Sequence, residues 1–168
     1  MRAVAGDGVM LEPQTTAHAE AMFVVLSDPA LYEYENAPPQ SVARLRERFA
    51  KLESRRSPDG AEQWLNWVIR QESGEVIGYV QATLRSEGYA AIAYEIGSPY
   101  WGQSLARRAV EAMMDELRQH YGVRRVVAIL KGANGRSMRL LQRLAFTPAP
   151  PDAQVPLRPD EVYMHRDL

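Results

Sequence analysis

Residues Ile96 to Ala109 read I-G-S-P-Y-W-G-Q-S-L-A-R-R-A. A candidate strand ends there, Gly97 and Gly102 lie in a short loop, and a candidate helix begins at once. The first turn of a helix carries unpaired backbone N–H groups and a partial positive charge. Small residues let an anion approach such a backbone closely. Gly102, Ser104 and Ala106 are spaced so that the loop amides could ring a pyrophosphate, although an ordinary strand-to-helix turn has the same outline. A second cluster runs from Gly132 to Phe146. In it, Asn134 and Ser137 stand at the start of another helix, where Asn also serves as a simple cap.

Charge is distributed to match. The whole chain has a net charge of −1, but residues 99–147 carry nine Lys or Arg against three acids. A basic segment in an acidic chain suits a polyanionic ligand, and equally suits solvated helix faces. The segment lacks the interleaved aromatics of a nucleic-acid surface. There is no cysteine among the 168 residues, which excludes disulfides, thiolate catalysis and zinc–thiolate sites. His18, His120 and His165 share no metal-ligand spacing. Neither a Gly-x-Ser-x-Gly elbow nor a Walker loop is present.

The elements that must position these residues follow from periodicity. Val9–Glu12 reads as a short strand. Thr15 or Thr16 caps a helix running to about Leu26, and Ser41 caps a second whose Val42, Leu45, Phe49 and Leu52 share a face. Trp64–Gln71, Val76–Leu84 and Tyr89–Ile96 form an antiparallel meander joined by short Gly-containing turns, the last of them Arg85-Ser86-Glu87-Gly88. Leu105, Ala109, Met113 and Leu117 then recur at helical spacing as far as Tyr121-Gly122. Val126–Leu130 is a strand. Asn134–Leu144 is a helix with Met138, Leu141 and Leu144 inward, ended by Pro148, Pro150 and Pro151. Glu161–Arg166 is a last strand. The order β-α-α-β-β-β-α-β-α-β predicts an α/β (mixed α+β) fold, with a central, mostly antiparallel mixed sheet and helices on both faces. The length fits one domain over residues 1–168. No apolar run approaches the roughly 18 residues of a membrane span, and the first ten residues lack the apolar core of a secretion signal, so a cytoplasmic protein is expected.

Together the two clusters resemble the GNAT superfamily of N-acetyltransferases. That family carries Gln/Arg-x-x-Gly-x-Gly/Ala at a helix start after a splayed strand. Its ribosomal-protein N-terminal acetyltransferase branch often reads Trp-Gly-x-Gly-x-Ala there, followed about 30 residues later by Asn-x-x-Ser and Leu-Gly-Phe. Here the sequence gives Trp101-Gly102-Gln103-Ser104-Leu105-Ala106, then Asn134-Gly135-Arg136-Ser137, then Leu144-Ala145-Phe146. The resemblance implies acetyl-CoA as acyl donor, no metal, and a coenzyme site between about Ile96 and Phe146. Backbone groups of Ile96 and Gly97 would pair with the pantetheine arm. The segment Trp101, Gly102, Gln103, Ser104, Leu105, Ala106 and Arg107 would hold the pyrophosphate. Asn134 would touch the pantetheine, Ser137 would lie near the sulfur, and Arg139 and Arg143 would be partners for the adenosine 3′-phosphate. Four positions depart from the pattern. Ser104 and Ala145 replace glycines, Arg108 stands where Glu is common, and Leu141 stands where many members place a Tyr general acid.

An amine must be neutral to attack a thioester, and a lysine-like ammonium has a pKa of about 10.4. The family uses a carboxylate base and direct attack in a ternary complex. Glu95 is the only carboxylate within Tyr89–Ile96, although family bases tend to lie nearer Ala91 and Ala93. With Leu141 at the Tyr position, Ser137 is the available hydrogen-bond donor to the leaving thiolate. Tyr32, Glu33, Tyr34 and Glu35 form an aromatic, acidic stretch that could receive a cationic amine. The expected activity is acetyl transfer to a primary amine of a small molecule, amino acid or peptide N-terminus. The alternative is a module of the same shape that holds acyl-CoA or a partner without efficient turnover. A monomer or homodimer is expected, with neither nucleic acid nor membrane as a partner.

Overall fold

The computed structural model describes residues 1–34, 36–85, 88–150 and 157–168. Its strands are β1 (Val4–Gly6), β2 (Val9–Pro13), β3 (Gln63–Gln71), β4 (Val76–Leu84), β5 (Tyr89–Ile96), β6 (Arg125–Lys131), β7 (Thr147–Pro148) and β8 (Glu161–Asp167). Its α-helices are α1 (Ala19–Leu26), α2 (Val42–Leu52), α3 (Leu105–Tyr121) and α4 (Gly135–Arg143). The strands lie in one sheet in the order β1-β2-β3-β4-β5-β6-β8-β7. The β5–β6 pair is parallel, and the other pairings are antiparallel.

The three strands of the expected meander, α3, β6, α4 and the last strand lie where periodicity put them, within one or two residues, while Ser86 and Glu87 of the expected turn between β4 and β5 lie outside the described residues. Two differences have clear causes. The N-terminal strand is a hairpin, because Asp7 and Gly8 close a two-residue turn that brings Val4 opposite Leu11. Helix α4 ends well before the prolines. Ala145 takes a left-handed φ of 59°. The Phe146 N–H then bonds to the Leu141 carbonyl at 2.9 Å and the Ala145 N–H to the Gln142 carbonyl at 3.0 Å. This is the Schellman pattern, and its usual apolar contact falls on two buried residues, Leu141 and Phe146.

Helices α3 and α4 share the larger core on one face of the sheet, where Trp67, Ile77, Val110, Met113, Leu117 and Leu141 are buried. Helices α1 and α2 cover the other face over Met22, Leu45, Phe49 and Val68. Between β4 and β5, Gly78 permits an unusually close approach. A methyl group placed on it would come within 2.1 Å of the Glu95 carbonyl oxygen. This contact fixes the end of β5, from which the loop to α3 departs. No helix among the described residues is long and apolar enough to cross a membrane.

Candidate active site

The site begins with a split in the sheet. Strands β5 and β6 pair only from Tyr89 to Ala91 and from Arg125 to Val127. Beyond that, β5 stays on β4 as far as Ile96, while β6 stays on β8 as far as Lys131. Each strand keeps its outer partner and loses its inner one, so a gap opens between them. The Gly97 N–H bonds to Ile77 of β4 at 2.9 Å. Strand alternation therefore turns the backbone groups of Ile96 and Tyr94 toward the gap. One of them is engaged from within the protein, since Trp101 Nε1 donates to the Ile96 carbonyl at 2.8 Å.

At the end of the gap lies the turn into α3. Gly102 has φ 78° and Ser104 φ 61°, so two residues in three are left-handed before the helix starts. Ser104 occupies the N-cap position of α3 without a side-chain capping bond. A methyl group on Gly102 would meet no atom within 4 Å, so the space over this turn is open. Asp28 holds the turn to the loop after α1. Its Oδ2 accepts from the Ser98 N–H at 2.9 Å and its Oδ1 from the Ala30 N–H at 3.0 Å. The Ser98 side chain leads in keeping the Asp28 carboxyl below its ordinary range, and the Ser98 and Ala30 N–H groups add to that lowering.

The two clusters singled out in the sequence line one cleft of about 340 Å³. From the first come Ile96, Trp101, Gly102, Ser104, Leu105, Ala106 and Arg107; from the second come Asn134, Ser137, Arg139 and Arg143. Gly97 and Gln103 are not in its lining. Gly97 is paired to β4, and the Gln103 side chain turns back to donate to the Pro99 carbonyl at 3.1 Å. Arg107 is tied to Glu111 at 2.9 Å. Asn134 caps α4, accepting from the Ser137 N–H at 3.0 Å. An open backbone turn at a helix N-terminus, an unpaired strand edge and several guanidinium groups suit the phosphates and the amide arm of a coenzyme A.

Polar side chains meet the cleft from opposite faces of β5. Glu95 reaches the cleft from the face shared with Tyr79, its cross-strand partner. Burial pushes the Tyr79 phenol well above its ordinary range, with the nearby Glu95 carboxylate adding to the shift. On the other face, Tyr94 Oη and Ser137 Oγ are joined by a 2.6 Å hydrogen bond. Burial pushes the Tyr94 phenol up to about 12, and the bond to Ser137 acts in the opposite direction. Tyr94 was invisible as a functional candidate in the sequence, because Ala90, Ile92, Tyr94 and Ile96 alternate as a core face would.

The aromatic, acidic stretch is divided. Tyr34 lines the cleft. Tyr32 does not; its hydroxyl donates to the Leu26 carbonyl at 2.7 Å. Burial, then the Glu95 charge, raise the Tyr32 phenol to about 12. Glu33 stands 3.9 Å from Arg136, and the Arg136 guanidinium lies 3.4 Å over the Trp101 ring. Glu35 lies outside the described residues. Leu141, at the position of the family's Tyr acid, is buried at 1% exposure and contributes only packing.

The comparisons agree with this geometry. A curated N-acetyltransferase p20 of uncharacterised activity from Bacillus licheniformis is 27% identical over 131 residues, covering 76% of this chain and 72% of that protein. A ribosomal L7/L12 alpha-N-protein acetyltransferase shares the fold at a TM-score of 0.81 and 15% identity, over 99% of this chain and 98% of that one. An acetyltransferase of the GNAT family from Bacillus anthracis does so at 0.76 and 13%, over 98% of each chain. The model of the acetyltransferase (GNAT) domain matches residues 9–147, from the N-terminal hairpin through the split sheet to the end of α4, and the chain belongs to that family.

Proposed function

We propose that this protein transfers an acetyl group from acetyl-CoA to a primary amine of a small molecule, an amino acid or a peptide N-terminus. The whole chain acts as one cytoplasmic domain. The observation that carries this reading is the gap between β5 and β6 opening directly onto the first turn of α3. The gap offers strand backbone to a pantetheine arm. The turn offers N–H groups to a pyrophosphate, and Arg139 and Arg143 lie along the same cleft. In further support, the L7/L12 acetyltransferase with this fold was solved in complex with coenzyme A.

Acetyl-CoA supplies the activated acyl group, and the residues of this chain hold and orient it. Glu95 takes a proton from the acceptor ammonium, directly or through water, which frees the nitrogen lone pair. The nitrogen then forms its bond to the acyl carbon, the carbon–sulfur bond breaks with its electron pair remaining on sulfur, and the second proton that the nitrogen gives up passes through solvent to the departing thiolate. Tyr34 and Glu33, at the rim, are the proposed contacts for the incoming cation.

A second reading, a coenzyme-binding module without efficient turnover, draws on Leu141, which places an alkyl side chain where many relatives carry an acid. Calorimetry with CoA and amine-dependent thiol release from acetyl-CoA separate the two. Binding together with release supports the transferase; binding without release across a panel of amines and peptides supports the module.

A further inference from the structure

The face of the sheet that carries Glu95 continues past the core under α1 and α2. On that face Val68 of β3, Tyr79 of β4 and Glu95 of β5 stand in one cross-strand row. Val68 and Tyr79 pack into the core that the two helices cover. The next row on the same face is Asn66, Gln81 and Ala93. It holds two carboxamides where the row above holds apolar contacts. Asn66 is only 5% exposed, and Gln81 is partly exposed. Among the described residues, neither side chain has a hydrogen-bond partner. A buried amide left unpaired costs stability, and a ligand that pairs it would account for its presence. Beside Gln81, Ala93 presents only a methyl group, and Ala91 does the same one row further on. Across the gap, Ile129 of β6 is 43% exposed, while its neighbours Ala128 and Leu130 turn into the core on the opposite face. A floor of two alanines therefore leads away from Glu95, with carboxamides on one side and an exposed apolar side chain on the other.

We propose that Gln81 and Asn66 form an amide subsite, which holds the backbone amides that follow the acceptor's amine. The inference rests on the acetyltransferase reading above, and it narrows the acceptor to an amine followed by an amide. A carboxamide offers both a carbonyl and an NH2 group, so it can pair with the N–H and the C=O of a peptide unit. The spacing agrees. Successive same-face residues of a strand are about 6.6 Å apart, and an extended acceptor advances at the same rate of about 3.3 Å per residue. With its amine at Glu95, such an acceptor has peptide units level with Gln81. The alanine floor lets its backbone approach β5, and Ile129 offers an apolar surface to the side chains that follow. An alkylamine or a polyamine has no carbonyl for these groups, so binding it leaves both carboxamides unpaired. Gln81, next to β5, is the specificity-determining residue, and Asn66 is its cross-strand neighbour.

The test compares acceptors with different tails by thiol release from acetyl-CoA. The acceptors are tripeptides that end in two alanines and vary in the first residue, the matching amino-acid amides, propylamine and spermidine. The wild type should use the best tripeptide with a kcat/KM about tenfold or more above those of propylamine and spermidine. Gln81→Ala should raise the KM for that tripeptide about tenfold, with the KM for acetyl-CoA and the kcat/KM for propylamine unchanged. Methylating the backbone nitrogens of the tripeptide should cost the wild type a similar factor and cost Gln81→Ala little more, as expected for groups that touch. An amino-acid amide used as well as the tripeptide would support the subsite and assign it to a small amide. If Asn66→Ala, at the more buried position, does not fold, the Gln81 comparison decides alone. An unchanged tripeptide KM in Gln81→Ala, an equal loss for tripeptide and propylamine, or alkylamines that match the tripeptides would overturn the subsite and leave the transferase reading intact. No thiol release with any acceptor would overturn both.

Discussion

The guanidinium of Arg136 lies 3.4 Å over the ring of Trp101. Trp101 belongs to the loop before α3 and Arg136 to the first turn of α4, so the contact closes the mouth of the gap from two sides. Trp101 is anchored beneath by its bond to the Ile96 carbonyl. Arg136→Ala should lower the unfolding free energy by about 0.5–1 kcal/mol, the range for a partly exposed cation–π pair. Urea denaturation followed by tryptophan fluorescence would measure it, and an unchanged midpoint would show that the stacking contributes nothing.

Ala145 replaces the glycine usual in its family at a position that the structure makes left-handed, with φ 59°. A residue with a Cβ costs roughly 1–2 kcal/mol in that region, while glycine enters it freely. Part of that gain is lost to the greater freedom of an unfolded glycine. Ala145→Gly should therefore stabilise the protein by about 1 kcal/mol, or roughly 2–4 °C in Tm for a chain of this size. A lowered Tm would mean that the turn after α4 is not the Schellman turn described here.

Ser104 departs from the family in the same way, with φ 61° and no capping bond to justify its side chain. Ser104→Gly should raise Tm and tighten CoA binding, because it removes both backbone strain and a side chain from the proposed coenzyme turn. If the hydroxyl instead bonds to a phosphate, its loss should cost roughly 1.5–3 kcal/mol of affinity. A tenfold weaker affinity in the glycine variant, at matched ionic strength, would show that Ser104 is a phosphate ligand.

At Gly102 the direction reverses. Its φ of 78° disfavours any side chain, and the open space above it is the proposed phosphate position. Gly102→Val should leave a folded protein that no longer binds CoA, because a β-branched residue strains the turn and fills that space. Normal CoA affinity in a folded Gly102→Val variant would place the phosphate elsewhere.

The local features of this fold were legible in the sequence because they are written at short range. The alternation of β4 and β5, the 3.6-residue repeat of α3 and the caps at Ser41 and Asn134 each involve neighbours within a few positions. The glycine-containing turn before α3, the proposed coenzyme turn, was legible for the same reason. What was hidden depends on partners far along the chain. Tyr94 looks like a core residue until α4 brings Ser137 to it. Tyr32 looks like a substrate contact until the last carbonyl of α1, left without a helical partner, takes its hydroxyl. The left-handed geometry of Ser104 and Ala145 is equally silent, since neither residue type announces a positive φ.

Calorimetric titration of the wild-type protein with CoA, paired with a melting curve, tests the central claim most directly. The split between β5 and β6 beside the α3 turn predicts saturable binding at one site. It also predicts stabilisation of about 2.7 kcal/mol when CoA is at 100 times its Kd. No heat of binding and an unshifted melting curve at millimolar CoA would contradict it.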